Sequence, residues 1–203
     1  MANIDNKNLQ VVCDYYLKGL SAKEISSKLG VSIDSVYYSL RKNNIQRRTA
    51  KENNDTRFEN KQASFEVKKN LSVKEKKLFI AGIMLYWAEG SKWSGEKIVD
   101  FANSDSEMVK IFLMFLRKIC GISESKLRIY LYCYEGQDID KLISHWSKLT
   151  GISKEKFSKP YIKKSSKSIA KNKMLNGLVH IRYGDKKLLN LIRSWIKEIS
   201  SEF

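Results

Sequence analysis

The stretch VKEKKLFIAGIMLYWAEG, residues 73–90, decides how the second half of the chain is interpreted. After a charged first turn, its apolar side chains lie nearly all around a helical wheel, which is typical of a helix buried in a core or at an interface. Ser72 and Glu75 form a capping-box pattern that predicts where this helix begins. Glu89 closes it just before Gly90, although the helix dipole disfavours a carboxylate at a C-terminus. A metal ion or a basic partner would explain the acid at that position.

The sequence that follows this helix alternates between predicted strands and helices, which is typical of an α+β fold. Residues 97–102 and 126–134 alternate apolar and polar side chains, as half-buried strands do. Shorter strands are predicted at 157–162 and 178–183, whereas residues 91–97 (SKWSGEK) mark a strand only poorly. Helices are predicted at 73–89, 107–120, 139–149 and 186–199.

The strand at 126–134 predicts a basic and aromatic face. The alternate positions that form this face are Arg128, Tyr130, Tyr132 and Tyr134. The lysine-rich segment 154–173 holds eight lysines against one glutamate, a composition that favours salt-dependent phosphate contact. The lysines taken as candidates for that contact are Lys159, Lys163 and Lys164. Two alternatives stay open, namely packing of the tyrosines under the helix at 139–149 and a solvated loop for the lysines.

A second compact pattern occupies residues 8–50. Ser21 and Glu24 form another capping box, and Gly30 makes a turn before Ser32 caps a helix that runs to Lys42. The string GLSAKEISSKLGVSIDSVYYSLRKNNIQRR, residues 19–48, resembles the helix-turn-helix of resolvases and sigma-factor-like regulators. A generic three-helix bundle is the alternative.

The helix-turn-helix resemblance implies that the helix after Ser32 enters the DNA major groove. Its candidate DNA-binding residues are Ser35, Tyr37, Tyr38, Arg41 and Lys42. The two tyrosines can also bury their rings. Beyond the helix, Arg47 and Arg48 would enter the adjacent minor groove, as basic arms do, or form a solvated charge pair.

The nine residues GIMLYWAEG, 82–90, look like a degenerate LAGLIDADG motif, the signature of one class of homing endonucleases. The order of the predicted elements resembles the αββαββα unit of that fold, with an inserted helix at 139–149. The resemblance implies a curved sheet seated on double-stranded DNA. Met84 and Trp87 depart from it, because both are bulkier than the residues usual at those positions.

The same resemblance assigns a candidate catalytic site. Glu89 falls on the acid that binds the catalytic metal, which would be Mg²⁺. Lys92 and Lys97 follow closely and would stabilise the charge of the scissile phosphate. Since single-motif members of the family dimerise, a homodimer through helix 73–89 would bring two acids together. Asp105 is interpreted as a helix-start residue, and the role of Asp100 is left open.

Charge favours a nucleic-acid partner for the whole chain. The 203 residues include 38 Lys and Arg against 22 Asp and Glu, for a net charge of +16. A chain this basic most often binds nucleic acid, and a charged surface that serves solubility is the alternative. Residues 1–72 hold 13 basic and 8 acidic side chains, and the remainder holds 25 and 14, so both parts are basic.

These patterns predict a helix-turn-helix domain at 1–50, a polar linker at 51–71 and an α+β domain at 72–203. The odd number of separated cysteines and the lack of a long apolar run predict a cytoplasmic, nucleoid-associated protein. Two functions are carried forward. The first is a homodimeric, Mg²⁺-dependent site-specific DNA endonuclease, and the second is a non-catalytic transcriptional regulator without a cofactor. RNA binding by the aromatic strand is a third interpretation.

Overall fold

The computed structural model describes residues 6–164 and 174–203 of the chain. The chain divides into two compact units, Met1–Gln62 and Ala63–Phe203, here called the N-terminal and the C-terminal unit. Helices and a four-stranded sheet are both present, which confirms the α+β class predicted from the sequence. In the part that the structure describes, no helix is both long and apolar enough to span a bilayer.

The N-terminal unit is helical. Its elements are α1 (Asn6–Leu17), α2 (Ala22–Leu29), α3 (Ile33–Lys42) and α4 (Ala50–Asn60). The predicted start signals are confirmed, because Ser21 and Glu24 form a reciprocal capping box on α2 and the Ser32 hydroxyl accepts from Ser35 N at 3.1 Å. Gly30 ends α2 at φ 65°, a left-handed conformation that favours glycine. The buried apolar core comprises Val12, Cys13, Tyr16, Ala22, Ile25, Val36 and Leu40.

The segment predicted as a linker, 51–71, belongs to both units. Its first part continues α4, which begins at a capping box formed by Thr49 and Glu52. The amide of Asn60 donates to the carbonyl of Lys18 at 3.2 Å and so ties α4 to the end of α1. The later residues are extended and pair with the turn after α6, since Lys68 N donates to the Ile119 carbonyl at 2.9 Å.

The C-terminal unit places helices against a single sheet. Its helices are α5 (Val73–Glu89), α6 (Ser106–Lys118), α7 (Ile139–Thr150) and α8 (Lys186–Ser200). Its strands are β1 (Val99–Asn103), β2 (Leu127–Tyr134), β3 (Tyr161–Lys163) and β4 (Leu178–Tyr183). The sheet order is β1-β4-β2-β3, and every pair is antiparallel except β2 with β3.

One face of this sheet and the helices form the core. Phe101 of β1 stacks on Phe112 of α6 with ring centroids 4.2 Å apart, and both rings are fully buried. Gly82 lets α5 approach α6 closely, because a Cβ built at Gly82 would lie 2.1 Å from Cγ of Phe115. Close packing against Phe115 therefore explains the glycine in the middle of this apolar helix.

Three local predictions differ from the structure. The strand predicted at 97–102 begins later, at Val99; residues 91–98 form no strand, and Gly90 makes an isolated bridge to Phe101. The strand expected at 157–162 is shorter and later, at Tyr161–Lys163, because Phe157 makes only an isolated bridge to Ile129. The apolar periodicity of the helix at 107–120 also predicts an inward-facing Met108, which is 39% exposed in the structure.

Candidate nucleic-acid interface

Helix α3 presents a polar face outside the N-terminal core. Val36 and Leu40 are fully buried and fix the rotation of the helix. Tyr38, on the opposite side, is 57% exposed, and Arg41 and Lys42 are exposed in the last turn. Side chains that can contact base edges and phosphates therefore lie together on one face of a capped helix.

Ser35 and Tyr37 are less available than the other candidates on α3. The Ser35 hydroxyl lies 2.9 Å from the Ser32 hydroxyl, so it takes part in the cap at the start of the helix. Tyr37 is half-buried against the core, and the Arg47 guanidinium carbon lies 3.6 Å from its ring centroid. Tyr37 therefore positions the exposed side chain of Arg47, which remains able to reach a phosphate.

Arg48 departs from the expectation of a minor-groove arm. Its guanidinium donates to the backbone carbonyls of Tyr16, Gly19 and Leu20, and it also lies over the Tyr16 ring. Carbonyls at the end of a helix and just beyond it lack the full set of intrahelical donors, and Arg48 supplies side-chain donors to them here. This corrects the sequence prediction, because Arg48 closes the N-terminal unit instead of extending into solvent.

The end of α5 carries the candidate catalytic acid. Glu89 is exposed in the last turn, and its partner in the motif, Gly90, is buried. Lys92 donates from Nζ to the carbonyl of Trp87, which is one of the last carbonyls of α5. This lysine counters the negative end of the helix dipole at the turn where Glu89 lies.

A cleft of about 400 Å³ lies beside this turn in the C-terminal unit. Tyr86, Lys92 and Arg193 are among its lining residues, so two cations converge there. Burial raises the pKa of Tyr86 to about 12, which keeps its hydroxyl protonated. Lys97 is exposed and is not among the lining residues of this cleft.

The described residues of one chain do not fit a magnesium site. No group of three or more His, Cys, Asp or Glu side chains that could hold a metal occurs among them. Asp105 caps α6 by accepting from Glu107 N at 2.7 Å, in line with its interpretation as a helix-start residue. Glu89 alone offers one carboxylate, and Mg²⁺ is usually held by more oxygen ligands than one side chain supplies.

The sheet face turned away from the core is mostly polar and aromatic, and it is here called the open face. Strand residues alternate between the two faces of a sheet. On this face, the registers place Arg182 of β4 between Asp100 of β1 and Arg128 of β2, and they place His180 of β4 beside Tyr130 of β2. Tyr161 on β3 lies opposite Tyr132. The polar and aromatic residues of the open face are Asp100, Arg128, Tyr130, Tyr132, Tyr134, Tyr161, Lys163, His180 and Arg182, and the register places Ala102 and Leu178 on the same face.

Asp100 organises the β1 side of the open face. One carboxylate oxygen lies 2.8 Å from His180 Nδ1 and the other accepts from Arg182 Nε at 2.7 Å. Burial by itself would raise the pKa of Asp100, but the hydrogen bonds and charges of His180 and Arg182 outweigh it and hold that pKa below its usual value. Asp100 is therefore a carboxylate at neutral pH.

Arg182 is held from two sides. Asp100 binds its Nε, and its guanidinium carbon lies 4.0 Å from the ring centroid of Tyr130. The pKa of Tyr130 is lowered, first by a hydrogen bond with Ser158 and then by Arg182. Arg182 also hydrogen-bonds the side chain of Tyr130, and the N–H groups of its guanidinium that neither Asp100 nor Tyr130 engages are suited to bind an oxyanion.

The other predicted contacts of this unit are exposed but scattered. Arg128 donates to the carbonyls of Ser125 and Leu127, which holds it at the start of β2. Lys159, Lys163 and Lys164 are exposed, and Lys163 pairs with Tyr134 in the β2–β3 register. The remainder of the lysine-rich segment, residues 165–173, lies outside the described residues.

No family model, curated protein or solved structure matches the chain. The proposed function therefore rests on the surface residues of the chain itself.

The sequence did not predict that Asp100, His180 and Arg182 form one group on the open face. His180 and Arg182 are separated from Asp100 by about eighty residues, and only the strand register joins them. The alternation of LVHIRY at 178–183 was the available signal, because it places His180 and Arg182 on the same face.

Proposed function

We propose that this protein binds double-stranded DNA in a sequence-specific manner through a helix-turn-helix formed by α2 and α3. The observation that carries the proposal is the exposed face of α3, with Tyr38, Arg41 and Lys42 opposite the buried Val36 and Leu40. A capped helix of this kind can place its outer side chains in a major groove. The +16 net charge supplies the phosphate attraction that such binding requires.

We extend the proposal to the C-terminal unit, which we interpret as a LAGLIDADG-like domain. Its support is the order of elements, with α5 ending at Glu89 and Gly90, followed by strands and helices that build one sheet. Arg128, Lys163 and Arg182 give the open face a positive character suited to a phosphate backbone.

Homodimerisation through α5 is the proposed assembly. Ile80, Met84 and Trp87 are 39–47% exposed and recur at i, i+4 and i+7, so they form one apolar stripe along the helix. Stripes of this kind favour helix pairing in water, since pairing buries the exposed apolar area. In a pair whose two-fold axis runs along α5, the two helices are parallel and the Glu89 residues of both copies lie at the same end of the interface.

DNA cleavage and non-catalytic regulation are the two candidate outcomes of DNA binding. The exposed acid at the end of the apolar stripe favours cleavage, because two copies would supply two carboxylates. The bulk of Met84 and Trp87 on the same stripe favours a regulator, because large side chains hold two helices, and hence two acids, further apart.

Selection from a randomised duplex library tests the proposal. The full chain should enrich one sequence, and Arg41→Ala should weaken binding to it about tenfold, as the loss of one good base or phosphate contact does. The same duplex is then incubated with Mg²⁺ or Mn²⁺ beside Glu89→Gln. Defined ends made only by the parent establish the endonuclease, whereas binding without ends establishes the regulator. Enrichment of no sequence would overturn the proposal.

A further inference from the structure

We propose that the open face of the sheet binds unpaired nucleotides, with bases stacked on Tyr132 and Tyr161 and a phosphate held by Arg182. The ligand is single-stranded nucleic acid. This goes beyond duplex recognition by α3, because it uses different residues in a different unit and a different chemistry.

Three rings form a row across neighbouring strands of the open face. The centroid of Tyr132 lies 4.5 Å from that of His180 on β4 and 5.2 Å from that of Tyr161 on β3. The row therefore crosses β4, β2 and β3 without an interruption. Neighbouring aromatic groups on a sheet can each accept one base, and successive bases of a strand follow such a row.

The rings are held from the side, so their positions are fixed before a ligand arrives. His180 is anchored through Nδ1 by Asp100, and its ring supports Tyr132. Tyr161 is the accessible end of the row, with 59% of its surface exposed at the last strand of the sheet. A preformed platform loses little conformational entropy on binding.

The phosphate anchor lies beside the row. Asp100 and Tyr130 fix the guanidinium of Arg182, and only its Nε is used by the carboxylate. The exposed Lys163 lies on β3, two residues after Tyr161. Cations on both sides of an aromatic row match a chain in which charged phosphates alternate with flat bases.

Paired DNA cannot use this row fully. In a duplex the flat faces of the bases are stacked on one another, so a protein meets groove edges and phosphates. Only an unpaired base offers a flat face to Tyr161. The aromatic row is therefore specific to single strands, whereas Arg182 and Lys163 would attract either form.

Fluorescence anisotropy of the full chain with a labelled oligothymidylate tests the inference, using a strand of about 12 nucleotides, within the range that single-strand domains cover. Tyr161→Leu is expected to weaken binding about tenfold, as the loss of one stacked base does, and Tyr161→Phe about twofold or less. A blunt hairpin duplex of equal charge serves as the second ligand, and Tyr161→Leu should leave its affinity unchanged.

Two controls make the result specific. Trp93→Leu removes an aromatic side chain that is 67% exposed elsewhere in the same unit, and it should leave single-strand affinity unchanged. A 2-aminopurine base in the strand should lose fluorescence on binding to the parent and to Tyr161→Phe, because stacking quenches it, but less with Tyr161→Leu. Oligouridylate in place of oligothymidylate identifies RNA or DNA as the preferred strand, and tight binding of either supports the inference.

Equal single-strand affinities of Tyr161→Leu and Tyr161→Phe would overturn the inference, since the contact would then be electrostatic alone. Binding of the hairpin without binding of the single strand would also overturn it and would leave the helix-turn-helix proposal intact. Loss of hairpin binding in Arg41→Ala with single-strand binding kept would support both.

Discussion

Replacing Asp100 by asparagine removes the carboxylate that joins β1 to β4 on the open face. The side chain is largely buried and is bonded to both His180 and Arg182. Asparagine has nearly the same shape, but it carries no charge and offers only one oxygen. One of the two donors is therefore left facing an amide NH₂ group.

The expected loss of stability in Asp100→Asn follows from the number of hydrogen bonds lost. A hydrogen bond to a charged group contributes about 1.5–3 kcal/mol, and one such bond disappears in Asp100→Asn. For a chain of this size, each kcal/mol lowers the melting temperature by roughly 2–4 °C, so a decrease of roughly 3–12 °C is expected. Asp138→Asn is the matched control, because Asp138 is an exposed N-cap of α7 and asparagine caps a helix equally well.

Thermal unfolding followed by circular dichroism measures the difference at several pH values. The pKa of Asp100 is lowered by folding, so its stabilising contribution is fully present above the unfolded pKa and is lost as the pH falls through the lower folded pKa. The gap between parent and Asp100→Asn should be constant from pH 7 to about 5 and decrease below that. Equal melting temperatures at pH 7 would refute the reasoning.

Further changes test other parts of the account. Gly82→Ala should destabilise the protein by about 1–3 kcal/mol in urea unfolding, because its Cβ overlaps Phe115. The loss should shrink in a Phe115→Leu background, and an unchanged loss would place the strain elsewhere. Arg48→Ala should lower the melting temperature, whereas Arg47→Ala should weaken duplex binding at an unchanged melting temperature; the reverse pattern would contradict their assigned roles. Met84→Lys should shift the mass measured by light scattering from dimer to monomer, and a parent that is already monomeric contradicts the proposed assembly.

Elements with local signals could be predicted from the sequence. The starts of α2, α3 and α5 follow from capping residues within four positions of one another, and these signals do not depend on the rest of the fold. The strand at 127–134 follows from strict alternation, because one of its faces is buried and the other is not.

Helix α4 lies in a polar segment that was predicted to be a linker. It has no buried side chain, so the apolar periodicity that reveals other helices is absent. The pair Thr49 and Glu52 was nevertheless a capping box, the same signal that located α2. No local signal in the sequence shows that Arg47 and Arg48 have different environments. The difference arises from carbonyls near the end of α1, which accept hydrogen bonds from Arg48.

The set of neighbours on the open face depends on pairing between strands that are far apart in the sequence. The tyrosines of β2 were predictable as a face, but their neighbours come from β4, about fifty residues later. The rings of Tyr132 and His180 meet only because the register sets Tyr132 opposite Leu178 and Tyr130 opposite His180. A sequence pattern fixes the alternation of a strand but not the strand beside it.

The most direct test of the central claim is the affinity of the full chain for the duplex that it selects, compared with a scrambled duplex at the same salt concentration. Specific DNA-binding proteins prefer their sites by roughly a thousandfold or more. A preference of that order is expected for the parent, and it should be greatly reduced in Arg41→Ala. Equal affinities of the parent for the two duplexes would contradict sequence-specific binding and reduce the basic surface to general attraction for phosphate.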